Sequence, residues 1–273
     1  MVAVDLDGTL LGSDGTISDR TRAAMVAASQ VGLDVVVVTA RPFRFLEEIE
    51  GLTVHGLAVC VNGALIIDLE TRAPISARLL DVDDARTAVA ALRCVLPDVA
   101  FAVETVGWYG HEPHYRSERP PPPGSPIGPI ELLIEDGVLK LLGRHPEIHV
   151  DRLAELAAVI GPRASVTCSM TSGMVEVGPL GVTKASALDD VVSRLGRTAA
   201  QVIAVGDMAN DLPMLRWAGV SAAVANAHPD LLAEVDHVLA SNDDDGVARL
   251  LEQLTSTVTR GPTSGAGRRV SRA

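Results

Sequence analysis

The sequence predicts an α/β fold: a doubly wound, mostly parallel sheet into which a separate α+β unit is inserted. Three observations predict it. From Met1 to about Leu80, short apolar runs alternate with amphipathic stretches, the pattern of strands joined by crossover helices. Val35 to Val38 is an unbroken β-branched run, which suits a strand buried on both faces. Between residues 81 and 180 the alternation gives way to hairpin-like runs and a proline block, and it resumes after Gly181. The expected organisation is a core of residues 1–80 and 181–257, an insert of 81–180, and a disordered tail of 258–273 rich in Gly, Ser, Thr and Arg.

Each element has a local reason. Met1 to Val4 is an apolar run closed by Asp5-Leu6-Asp7-Gly8-Thr9-Leu10, a buried strand ending in a tight loop. Ser18 caps a helix from Asp19 to about Val31, with Gly32 as its stop. Pro42 suits the first turn of a helix after the Val35–Val38 strand. Leu57 to Val61 is a buried strand, and Asn62-Gly63 turns it into a short partner, Leu65 to Ile67. In the insert, Asp81 to Val95 reads as a helix and Val99 to Val106 as a strand. Gly107 to Gly128 is a polar, proline-rich segment in which Pro120 to Pro123 exclude helix or central strand. Ile130–Ile134 and Val138–Leu142 read as a hairpin around Glu135-Asp136-Gly137, Val150–Ile160 as a helix, and Ser165–Met170 and Met174–Val177 as strands. Beyond Gly181, helices at Lys184–Leu195, Asp211–Trp217, Pro229–Val235 and Val247–Leu254 alternate with strands at Val202–Val205, Val220–Val224 and His237–Leu239.

Composition narrows the class of function. The chain has 273 residues, 47% of them hydrophobic, and a net charge of −12, which argues against a nucleic-acid or anionic-membrane partner. Cys60, Cys94 and Cys168 are widely spaced and odd in number, so a reducing, cytoplasmic setting is expected. No apolar run reaches spanning length, and the short approach to Asp5 leaves no expected signal peptide.

In open α/β sheets, sites form beyond the carboxyl ends of the strands. Four polar clusters stand there: Asp5, Asp7 and Thr9; Thr39 and Arg41; Lys184 after Gly181-Val182-Thr183; and Gly206-Asp207-Met208-Ala209-Asn210-Asp211. Asp5 and Asp7 are two apart in sequence, so extended backbone puts them on one face. Two carboxylates that close call for a cation such as Mg²⁺ between them, or for a nucleophile beside a protonated general acid. Asp207 and Asp211 share a helix face if the helix starts early. Together these groups make a site for a phosphate and a divalent cation, with Lys184 and Mg²⁺ reversing the field of the carboxylates.

The four clusters, in this order, resemble the haloacid dehalogenase-like hydrolase superfamily, in particular the Cof-type phosphatases with a class IIB cap. The resemblance covers about residues 1–80 and 181–255. Asn62-Gly63-Ala64 and Ala225-Asn226-Ala227-His228-Pro229 match its punctuation as well. It implies a Rossmann-like core with an inserted α+β cap and a Mg²⁺-dependent phosphomonoesterase acting on small phosphorylated metabolites, such as sugar phosphates. Under it, Asp5 is the nucleophile that forms an aspartyl-phosphate, and Asp7 is the acid and base. Mg²⁺ is held by Asp5, the Asp7 carbonyl and Asp207, with Asp211 supporting its waters. Thr39, Lys184 and Asn210 bind phosphate. A phosphomutase or phosphotransferase of the same superfamily, or a non-catalytic binder of a phosphorylated metabolite, is the alternative. Ala40 stands where the family usually has Gly, and the proline stretch 120–129 is foreign to its cap.

Other residues carry two readings. Arg41 either faces substrate or pairs with a carboxylate, and Asn62 either faces the site or is the left-handed residue of its turn. His111, Glu112 and His114 read as an exposed loop rather than a metal site, because Pro113 interrupts them and no helix aligns them. Trp108 and Tyr109 either stack on a substrate ring or anchor their own sheet.

Overall fold

The structure, a computed structural model, describes residues 1–49, 52, 56–117, 119–169 and 173–260. β1 (Val2–Val4) leads straight into Asp5. α1 (Asp19–Gln30) starts at Ser18, whose hydroxyl accepts from the Thr21 amide at 3.0 Å. β2 (Val35–Val38) and β3 (Leu57–Cys60) are buried at every position, as continuous apolar runs demand. β4 (Leu65–Asp68) returns antiparallel to β3, and β5 (Pro74–Ala77), which carries little apolar signal, adds an edge. After Pro42 the expected helix is absent. Two 3₁₀ turns, Phe43–Phe45 and Glu47–Ile49, stand there instead, because Pro42 is extended (ψ 154°) and lies outside the first turn.

The insert follows. α2 (Val82–Val95) is capped by Asp81. β6 (Ala100–Glu104) pairs with β7 (Tyr109–His111), a strand not expected inside the polar segment. α3 (Ile130–Leu133) overturns the expected hairpin. Ile130, Leu133 and Ile134 are buried while Glu131 and Leu132 are exposed, a helical spacing that a five-residue apolar run conceals. β8 (Lys140–Arg144), α4 (Leu153–Ile160), β9 (Ala164–Ser169) and β10 (Met174–Pro179) complete a five-stranded antiparallel sheet, ordered β7-β6-β8-β10-β9. Its strands alternate strictly. Phe101, Val103, Leu141, Val175 and Val177 pack on α2, α3 and α4. Ala102, Glu104, Lys140, Leu142, Arg144, Met174 and Glu176 take the opposite face. The proline stretch runs along β7, where Pro126 accepts from the His111 amide at 3.1 Å.

α5 (Lys184–Arg194), β11 (Ile203–Gly206), α6 (Leu212–Trp217), β12 (Val220–Ala223), α7 (Pro229–Leu232), β13 (His237–Val238) and α8 (Gly246–Arg260) return to the first pattern. The core sheet has eight strands in the order β13-β12-β11-β1-β2-β3-β4-β5. The six from β13 to β3 are parallel. The expected tail is corrected at its start: α8 runs through residues 258–260, and residues 261–273 lie outside the described ones. Thr255 and Thr257 hydroxyls donate to the carbonyls of Leu251 and Gln253, so these residues sit comfortably in a helix.

Candidate active site

The carboxyl ends of β1, β2, β3 and β11 converge, and the four polar clusters meet there. Asp5 is fixed at the end of β1 because its amide donates to the Val205 carbonyl at 2.9 Å. The chain then loops so tightly that Leu11 N–H reaches the Leu6 carbonyl at 2.9 Å. Gly8 takes φ +79°, and a Cβ there would lie 2.6 Å from Asp207 Oδ2, so the loop closes on Asp207 only with glycine. Thr9 Oγ1 donates to Asp207 Oδ1 at 2.7 Å. Asn226 donates to the Gly8 carbonyl at 2.8 Å, which gives that punctuation residue a task.

Carboxylate oxygens of Asp5, Asp207 and Asp211 lie within 4.8 Å of one another, all three buried. Lys184 fills the first turn of α5 and is 1% exposed. Its Nζ donates to Asp5 Oδ1 at 2.5 Å and to Asp211 Oδ1 at 2.6 Å. Asp211 Oδ2 accepts from the Asp207 and Met208 amides, each at 3.0 Å, so Asp211 organises the loop as well as the lysine. Burial pushes Asp5 up, Lys184 opposes it, and Asp211 and Asp207 reinforce it. Burial also raises Asp207, against the Thr9 hydroxyl that favours its anion. Burial alone would lower Lys184, but Asp5 and Asp211 hold it above the ordinary lysine range.

Asp7 departs from the shared-face expectation. At φ −79° and ψ 119° it is followed by the Gly8 turn, and its carboxylate leaves the trio for Arg41 Nη2 at 2.6 Å. Arg41 therefore pairs with a carboxylate at the mouth of the site. Thr39 is fully buried and accepts from the Arg41 amide at 3.0 Å. Ala40 needs no left-handed backbone, and its carbonyl accepts from Lys140 Nζ at 3.2 Å. Asn62 has the left-handed backbone of its turn (φ 54°), and its side-chain oxygen accepts from Asn210 Nδ2 at 3.2 Å. Asn62, Lys184 and Asn210 line a cavity of about 180 Å³ under the second sheet.

His111, Glu112 and His114 gather no metal cluster among the described residues. Glu112 instead accepts from the Phe101 amide at 2.9 Å and pairs with Arg93. Tyr109 faces a cavity between the sheets, while Trp108 lies toward the proline segment. Sequence reasoning missed Lys140 and Glu176, which pair at 2.9 Å above Ala40. The available signal was a lone lysine inside the apolar run Val138–Leu142.

A family model described as haloacid dehalogenase-like hydrolase matches residues 2–251. The chain is 30% identical over 258 residues to 5-amino-6-(5-phospho-D-ribitylamino)uracil phosphatase YcsE of Bacillus subtilis, covering 92% of this chain and 94% of that protein. It is 26% identical over 281 residues to YitU of the same organism, which bears the same enzyme name, covering 94% and 97%. Among solved structures, BT1666 from Bacteroides thetaiotaomicron, described among phosphatases of the superfamily, superposes with a TM-score of 0.78 at 22% identity, over 94% of this chain and 95% of that one. The subclass IIB sugar phosphatase BT4131 superposes with a TM-score of 0.76 at 21% identity, over 93% and 98%. These two show the fold. With the family match across nearly the whole chain and a phosphatase relative at 30% identity, the chain belongs to the haloacid dehalogenase-like hydrolase family and is a phosphatase.

Proposed function

We propose that this phosphatase is a Mg²⁺-dependent phosphomonoesterase that hydrolyses small phosphorylated metabolites, sugar phosphates among them, through an aspartyl-phosphate on Asp5. The observation that carries the reading is the convergence of Asp5, Asp207, Asp211 and Lys184 at the carboxyl ends of the parallel strands of one sheet. Hydrolases of this family use a divalent metal. The donor set fits a hard cation: three buried carboxylates stand together, one lysine pairs with two of them, and burial pushes Asp5 and Asp207 up. Asp5, Asp207 and the Asp7 carbonyl would hold Mg²⁺, with Asp211 behind them fixing Lys184 and the Asp207 backbone. Bound there, the ion neutralises charge on the phosphoryl oxygens and completes the compensation of the carboxylates.

Asp5 attacks phosphorus, the bond from phosphorus to the leaving oxygen breaks, and protonated Asp7 supplies that oxygen's proton. Asp7 then takes a proton from water as the water oxygen attacks the aspartyl-phosphate, which releases phosphate and frees Asp5. Thr39, Lys184 and Asn210 hold the phosphoryl oxygens, and Asn62 orients Asn210. In this reading residues 1–80 and 181–257 are the hydrolase core, and 81–180 is the cap that closes over it.

The test is phosphate release from a panel of phosphorylated metabolites, with and without Mg²⁺, beside Asp5→Asn and Asp207→Asn. Mg²⁺-dependent release is expected, lost in Asp5→Asn and shifted to higher Mg²⁺ in Asp207→Asn. Full activity in Asp5→Asn overturns the mechanism, and an unchanged Mg²⁺ titration in Asp207→Asn overturns that ligand. Transfer of phosphate to a sugar hydroxyl rather than to water would mark a phosphomutase or phosphotransferase instead.

A further inference from the structure

Lys140 stands on β8, on the core-facing side of the five-stranded sheet, and is 6% exposed. A lysine taken that far from water keeps its charge only with partners in place. One partner is Glu176, its diagonal neighbour on β10, at 2.9 Å. The other lies outside the inserted unit: Lys140 Nζ donates to the Ala40 carbonyl of the core at 3.2 Å.

That carbonyl belongs to the loop that presents Thr39. Much of the loop's backbone is tied to the core itself. Thr39 N–H donates to the Val59 carbonyl at 2.8 Å, Asn62 N–H to the Thr39 carbonyl at 3.0 Å, and Val61 N–H to the Arg41 carbonyl at 3.0 Å. The peptide between Ala40 and Arg41 is held differently. Its carbonyl accepts from Lys140, and its N–H, the Arg41 amide, donates to Thr39 Oγ1 at 3.0 Å. A trans peptide is planar and stiff, with its carbonyl and its N–H pointing opposite ways. A rotation that breaks one of these two bonds therefore strains the other. Thr39 is fully buried, and a hydroxyl that accepts from an amide still has its own proton to give. The amide occupies a lone pair of Oγ1 and turns that proton away from itself, where a phosphoryl oxygen can accept it.

We infer that Lys140 is a positioning residue for phosphoryl binding: acting through the Ala40–Arg41 peptide, it sets the direction of the Thr39 hydroxyl, and it makes the phosphate site depend on how the inserted sheet is seated on the core. This rests on the phosphatase reading above, which gives Thr39 its phosphoryl oxygen. Lys140 also lines both the cavity of about 180 Å³ and the larger one between the sheets, so direct contact with a leaving group is the rival to be separated from positioning.

The test is a double-mutant cycle of Lys140→Met and Thr39→Val on the Mg²⁺-loaded enzyme. It reads kcat/KM for p-nitrophenyl phosphate, glucose 6-phosphate and glycerol 3-phosphate, and the Kd of inorganic phosphate by calorimetry. Lys140→Met should lower kcat/KM and weaken phosphate binding by about tenfold each, the scale of one charge-assisted hydrogen bond. The factor should be the same for all three leaving groups and should nearly vanish in the Thr39→Val background. Lys140→Arg, which keeps a donor for Ala40, should restore part of the loss. If urea melts show that Lys140→Met does not fold, the double variant Lys140→Met/Glu176→Met takes its place, because it leaves neither charge of the pair without its partner. Equal losses with and without the Thr39 hydroxyl overturn the inference. So does a loss that differs among leaving groups, which marks a direct contact. In both cases phosphate release leaves the phosphatase reading standing. Coupling of the two residues in the Kd of phosphate, with no release from any compound, supports the positioning role and overturns the phosphatase reading.

Discussion

Lys184 shows how far a single residue could be read. A lysine in the first turn of a helix opposes the helix dipole, so beside the other motifs its position favours a functional role. The structure supplies two, Asp5 and Asp211, and buries all three. Lys184→Met leaves two buried carboxylates without their cation. It should lower the unfolding free energy by about 3 kcal/mol without Mg²⁺, measured by urea denaturation. Under the proposed function added Mg²⁺ should recover part of that loss, because the proposed ion site shares Asp5 with the lysine and exists only in the folded cluster. An unchanged urea midpoint would show that the triad is not what secures α5. Asp7 was less legible. Spacing put it on the face of Asp5, but the Gly8 turn swings its carboxylate to Arg41, 34 residues on. Spacing gives the direction of a side chain only while the backbone stays extended, and Asp7 is the residue where it stops.

Among elements, the parallel strands were legible because each is an uninterrupted apolar run, Val35–Val38 above all. The second sheet was harder. β7 holds Tyr109, Gly110 and His111, with no apolar alternation, and exists because β6 and the Pro126 carbonyl satisfy its backbone. The segment Ile130–Leu133 could be strand or helix by composition. Its burial at Ile130, Leu133 and Ile134 was the deciding fact, and only tertiary packing reveals it. Gly63 belongs to the connection between β3 and β4. At φ +105° a Cβ there would sit 2.2 Å from the Thr183 carbonyl, the residue that caps α5 with its hydroxyl on the Ser186 amide. Gly63→Ala should therefore cost about 2 kcal/mol by overpacking. It should also lower kcat, since the turn that carries Lys184 must move. Phosphate-release kinetics and urea melts check both halves, and wild-type kcat with lost stability would separate the turn from the site.

Across the whole molecule, the two sheets meet through charged side chains. Arg44, in a 3₁₀ turn of the core, reaches Glu104 on β6, and Lys140 reaches back to Ala40. Burial raises Glu104 above the ordinary glutamate range, and Arg44 opposes the rise. The sign of the linkage follows. A carboxyl raised on folding contributes stability below its unfolded pKa and loses it as pH climbs through the folded value. Removing Arg44 raises Glu104 further, so Arg44→Ala should destabilise more at about pH 7.5 than at about pH 5, by on the order of 1 kcal/mol between them. Urea midpoints at the two pH values measure it, and an equal loss at both would assign the pair no electrostatic part. Neither contact could be seen in the sequence, because both join residues 60 or more positions apart, one through opposite charges and one through a backbone carbonyl that no side-chain pattern marks.

The strand that carries Asp5 lies between β2 and β11, and its register partners begin at Val35 on one side and at Ile203 on the other. On a ribosome, then, β1 and Asp5 wait for some two hundred further residues before their second neighbour exists. The five-stranded sheet has no such wait, since all its strands fall between residues 100 and 179. Local pairing is quick and distant pairing slow, so the inserted unit can take shape while β1 is still unpaired on one flank. The Asp5 end of β1 is therefore complete only after β11 has paired with it, long after Asp5 itself is made.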